Sequence, residues 1–140
     1  MLNSSELPHD TLKNPIFPNE LSFPFISFNC FRHKKVTGFT GSIVRRRMKN
    51  FPLYWHYAFI YGFDQQKRLL LIENNKKEGV KCIFWEEFVD DCQKWEFVHI
   101  ETSASNFHEI ISKAIERAKY NYCPNKNNCE HFVNYCVFGK

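Results

Sequence analysis

Nowhere in the chain do about 18 apolar residues follow one another, the length a membrane-crossing helix requires. The opening stretch "MLNSSELPHDTLKNPIFPNE" lacks both a basic n-region and a long apolar core, so it predicts neither a secretory signal nor an anchor, and a cytoplasmic location follows. A C-x-x-C pair is also missing, which excludes a thioredoxin-type redox motif. Without predicted export, the six cysteines, Cys30, Cys82, Cys92, Cys123, Cys129 and Cys136, are expected to be reduced thiols rather than bridges. Acidic side chains are absent from Leu21 to Phe63, whereas seven Lys or Arg fall there, in "FRHKKV" and "VRRRMK". Such a patch suits phosphate groups on lipid headgroups or nucleic acid, and it is equally compatible with solvated strand ends.

The 140 residues hold fifteen Phe, and aromatics reach 17%, which argues against disorder and for one hydrophobic core. Residues 1 to 20 contain Pro8, Pro15 and Pro18 among polar residues and predict a loose arm. A single domain then spans 21 to 140. "LSFPFISFNCF" predicts a strand, with "SIVRRRM" as its partner after the Gly38 and Gly41 turn region. "LYWHYAFIYGF" is the strongest strand signal, and "LLLIEN" should form a hairpin with it. "WEEFVDDC" has apolar residues at helical spacing and predicts a short helix, and "KWEFVHIE" returns to a strand. "SNFHEIISKAIERAKYNY" predicts an amphipathic helix with Ser105 or Asn106 as cap and Phe107, Ile110, Ile111, Ala114, Ile115 and Ala118 inward. The order of elements implies an α+β fold, an antiparallel sheet packed against helices.

The last segment, "NKNNCEHFVNYCVFG", predicts a helix started by Asn127 or Asn128 and stopped by Gly139. Cys129 then stands at the positive end of the helix dipole, where a thiolate is favoured, and Phe132, Val133, Cys136 and Val137 form the buried stripe below it. Cys136, two turns deeper, is expected to be inert packing. Zinc is a weak alternative, because Cys123, Cys129, His131 and Cys136 lack the close first pair of a zinc knuckle. A nucleophilic thiol needs a base, and His56 is the best placed of the histidines. Its strand has Leu53, Trp55, Tyr57, Phe59 and Tyr61 on one, bulky side and Tyr54, His56, Ala58, Ile60 and Gly62 on the other, read as the small side. The small side is where a helix is expected to pack closely and bring a cysteine to the imidazole.

"YWHYAFIYG" together with "NNCEHFVNYCVFGK" resembles the H-box and NC motifs of the lecithin:retinol acyltransferase-like family, permuted relatives of the NlpC and papain-like cysteine peptidases. The resemblance covers residues from about 50 to 139. It implies the permuted NlpC/papain-like fold, Cys129 as nucleophile and His56 as base, with Tyr54 helping to line the oxyanion or substrate site. The family's third polar residue is a histidine on the next strand; here "LLLIENN" offers Glu73, or else Asn74. A carboxylate or an amide can also orient an imidazole, so the triad is altered rather than lost.

The function implied is a thiol acyltransferase or phospholipase acting on phospholipid or another lipid ester, with no cofactor. Lys34, Lys35, Arg45, Arg46 and Arg47 would serve as an anion-binding patch that holds the protein against anionic membrane surfaces. Two alternatives stay open: a thiol peptidase, and a non-catalytic module that binds RNA or a host protein, as picornaviral members of the family suggest.

Overall fold

The computed structural model describes residues 25–29, 35–48, 54–63, 66, 68–89, 94–102 and 105–140. The predicted arm and Lys34 lie outside them, as does the side chain of Lys35. Among the described residues the fold is α+β, with a five-stranded antiparallel sheet, a separate two-stranded ribbon and three helices. The ribbon pairs β1, Phe25–Asn29, with β2, Lys35–Phe39. The sheet is built from β3 (Ile43–Arg47), β4 (Trp55–Phe63), β5 (Leu69–Asn75), β6 (Gly79–Phe84) and β7 (Trp95–His99), in the order β6-β5-β4-β3-β7.

Two expectations are corrected here. β3 was expected to partner the Phe25 strand; it pairs instead with β4 and β7, and β2 takes its place in the ribbon. Alternation alone does not choose among strands of similar pattern, because pairing is settled by which faces a common core can bury. β6 was not anticipated: its "GVKCIF" is short and places a lysine in the middle of an otherwise apolar run.

Alternation divides the sheet into two cores. On one face Ile43, Phe59, Tyr61, Leu70, Ile72 and Val80 pack against α2 (Phe107–Arg117) and α3 (Cys129–Phe138). On the other, Val44, Ala58, Ile60, Leu71 and Ile83 are covered by α1, Trp85–Val89, through Trp85 and Phe88. The helix bearing Cys129 therefore lies on the bulky face of β4, not on the small-residue face where it was expected. Phe132 stacks on Phe59 with ring centroids 6.1 Å apart, so the two large side chains supply the area that anchors α3. α2 presents Phe107, Ile110, Ile111 and Ala114 to the core, Ile115 is only half-buried, and Ala118 is exposed beyond the helix end.

The turn between β2 and β3 brings the sheet close to α2. Gly41 has φ of 105°, and a Cβ there would come within 2.7 Å of the Ile110 Cδ1, so conformation and space both demand glycine. No helix among the described residues is long and apolar enough to cross a membrane.

Candidate active site

The site forms where β4 begins and α3 begins. His56 is the second residue of β4 and Cys129 the first of α3, so the two meet at the end of the sheet although α3 packs on the opposite face. Glu73 lies in register with Ala58, one step diagonal from His56 on the same face. Its Oε1 is 2.7 Å from His56 Nε2, with the side chains only 11% and 4% exposed. The second carboxylate oxygen accepts from Asn75 Nδ2 at 3.2 Å. Of the two residues offered by this strand, Glu73 is the one that bonds His56, whereas Asn74 bonds the Asn127 carbonyl.

The imidazole also interacts with the Cys129 side chain. Burial alone would discharge His56. The bond to Cys129 and then the bond and charge of Glu73 overcome it and raise the pKa from 6.5 to about 9. For Glu73, burial pushes upward, but the His56 bond and charge prevail, helped by Asn75 and by Lys81 on β6, and hold it below the ordinary carboxylate value.

Local sequence fixes the start of α3. Asn128 is the N-cap: its Oδ1 accepts from the His131 backbone N–H at 2.8 Å, and its own N–H donates to His131 Nδ1 at 3.2 Å. Histidine here fills the place of the usual Glu or Gln in a capping box. His131 is thereby committed to holding the turn that presents Cys129. Gly139 ends the helix with φ of 77°, as the sequence predicts. Cys129 and Cys136 are both buried, yet Cys136 sits among apolar side chains, and burial pushes its thiol well above the usual cysteine range.

Asn74, a candidate substrate residue, has a different place. It is fully buried, and its Nδ2 donates to the Asn127 carbonyl at 2.8 Å, bracing the turn just before Cys129. Cys123 braces the same residue through paired backbone bonds of 3.0 and 2.8 Å, and Asn127 Nδ2 reaches the Asn121 carbonyl at 2.9 Å. Backbone N–H groups of Asn125 and Lys126 approach the Cys123 thiol and lower its pKa. Tyr54, at the mouth of β4, is 65% exposed and two residues before His56, on its side of the strand.

Tyr122 was not singled out from the sequence. Burial, and then the charge of Cys129, raise the pKa of its half-buried hydroxyl. No local signal marked it, because that interaction depends on the return of the loop before α3. The arginine patch, in turn, is divided by the pleat. Arg45 bonds Glu96 and Tyr57, and Arg45 and Arg47 each lie 4.1 Å from the Trp55 ring centroid, on the side away from His56. Arg46 alone stands opposite His56 in register.

Comparison with known proteins finds no counterpart for this chain: no family model, no curated protein and no solved structure matches it.

Proposed function

We propose that the protein is a cysteine-dependent acyl-transfer enzyme, an acyltransferase or phospholipase acting on lipid esters, on a permuted NlpC/papain-like fold. The observation that carries this reading is the buried chain from Glu73 through His56 to Cys129 at a helix start. The H-box and NC resemblance supports the lipid-ester substrate. In the first half-reaction the Cys129 sulfur attacks the ester carbonyl, the C–O bond breaks, and His56 delivers its proton to the departing alkoxide, leaving a thioester. In the second, His56 takes a proton from water or an acceptor alcohol or amine, whose attack releases the acyl group and restores the thiol. Glu73 keeps the ring oriented and balances its charge throughout. The remaining basic residues would assist contact with an anionic membrane surface.

Intact mass spectrometry after incubation with a phospholipid tests this directly. The expected result is an added acyl mass that hydroxylamine removes and that Cys129→Ala protein never acquires. Absence of any adduct with phospholipid, simple esters or peptides, together with a Cys129 inert to mild alkylation, would overturn it in favour of a non-catalytic binding module.

A further inference from the structure

We propose that Arg46 forms an anion subsite beside the reacting pair, so that the substrate carries a phosphate group close to the acyl bond that breaks. Register places Arg46 opposite His56 on β4 and opposite Trp95 on β7, so the three side chains form a row on the α1 face. The Arg46 guanidinium carbon lies 5.5 Å from the centroid of the Phe88 ring, and the His56 ring centroid lies 5.8 Å from the same ring. Phe88 is fully buried, so the guanidinium and the imidazole rest on one fixed apolar platform.

What sets Arg46 apart is that it has no counter-charge among the described residues. Its Nη1 donates to the Arg47 carbonyl at 3.2 Å, its Nε is buried without a partner, and no carboxylate among the described residues pairs with it. Arg45, one residue away, is by contrast bound to Glu96 and Tyr57. A guanidinium is always charged, and a half-buried one with an idle donor strongly favours an incoming oxyanion. Around it, Glu73 is already engaged with His56, and Lys81 reaches Glu78. With Glu73 committed to His56, the charge of Arg46 is left for an anion that the substrate brings. The fork geometry suits the tetrahedral oxygens of phosphate, taken two at a time. A phosphodiester of a lipid headgroup and a soluble phosphomonoester offer the same chemistry.

The catalytic consequence rests on the acyl-transfer reading, but the subsite is testable without catalysis. Full-length Cys129→Ala protein is titrated with inorganic phosphate and with glycerophosphocholine while the imidazole NMR signals of His56 are followed. At least one probe is expected to shift those signals. Arg46→Gln should weaken binding by at least about tenfold, the loss expected for a charge-assisted hydrogen bond. Arg46→Lys should restore part of the affinity, which separates loss of charge from loss of fold, and Arg45→Gln should leave it unchanged. Tighter glycerophosphocholine supports a phospholipid source and tighter inorganic phosphate a monoester; either result sustains the subsite. Equal affinity in Arg46→Gln protein that unfolds cooperatively, or saturation by both probes without a response from His56, overturns it. A missing thioester in wild-type protein would sink the acyl-transfer reading and leave this measurement standing.

Discussion

The two ends of α3 hold the same side chain in opposite settings. Cys129 and Cys136 share one stripe of one helix, and both are buried. At the N-terminal end the sulfur meets an imidazole that is itself bound to a buried carboxylate. Two turns later it meets the Phe132 and Val133 core, where burial outweighs the opposing charges of Arg117 and Lys113 and pushes the thiol well above the usual cysteine range. Burial is therefore not what separates the proposed nucleophile from a packing cysteine. The difference is whether a charged partner and a helix start accompany it.

The largest expected effect breaks this comparison at its active end. Cys129→Ala should abolish acyl transfer, a fall of at least about a thousandfold, the scale of losing a nucleophile. Cys136→Ala should leave the rate unchanged and lower stability by about 1–2 kcal/mol through a small cavity. Iodoacetamide should label Cys129 in the folded protein and leave Cys136 unlabelled until it unfolds. Peptide mapping should be done on a Cys123→Ser background, since Cys123 is half-exposed with a lowered pKa and competes for the reagent. Equal labelling of Cys129 and Cys136 in the native state would contradict the contrast drawn here.

Next in size is the carboxylate that distinguishes the two ends. Glu73→Gln keeps the shape but loses the charge, and acyl transfer should fall by about a hundredfold or more, in line with triads whose carboxylate is neutralised. The His56 pKa, followed by NMR, should drop from about 9 toward the ordinary 6.5. The same shifts set the stability profile. His56 is raised on folding, so its contribution is complete below pH 6.5, declines as pH rises, and is gone above about 9. Glu73 is lowered from 4.5, so its contribution is complete above that value and is lost on acidification. Stability should thus be greatest between about pH 4.5 and 6.5, and denaturant midpoints across pH 3 to 10 should show a flatter alkaline limb in Glu73→Gln. An unchanged His56 titration in that variant would remove Glu73 from the site.

What the sequence revealed follows the range of the forces involved. The caps of α3, Asn128 and Gly139, were legible because each acts within one helical turn. β4 and the Phe132, Val133 and Cys136 stripe were legible from periodicity. The pairing of His56 with Cys129 came from motif resemblance, since no local pattern joins residues so far apart in the chain. Four things were hidden. The partner of β1 and the existence of β6 depend on nonlocal pairing. The face receiving α3 depended on the area that Phe59 and Tyr61 could bury, which outweighed the closer approach offered by Ala58. The division of Arg45, Arg46 and Arg47 between two faces required the register against β4.

The smallest effect sharpens the comparison further, because it touches Cys129 without touching its chemistry. Asn74 reaches the Asn127 carbonyl from β5, so it ties the sheet to the turn carrying Cys129, and in the proposed reaction it is a positioning residue. Asn74→Ala should cost about 1–3 kcal/mol of stability, the range for a buried hydrogen bond lost with a partner left behind. The Asn127 carbonyl keeps its bond from the Cys123 N–H, so the turn should loosen rather than collapse. Acylation should slow by about tenfold with KM nearly unchanged, because sulfur and carbonyl meet less often in the productive geometry while the binding surface is intact. Cys136→Ala supplies the control: a comparable loss of stability, on the same helix, with no loss of rate. If Asn74→Ala and Cys136→Ala lower the acylation rate alike, the effect is general destabilisation and the bracing role fails. If only Asn74→Ala does so, the two ends of α3 differ in their mechanical support as well as in their electrostatics.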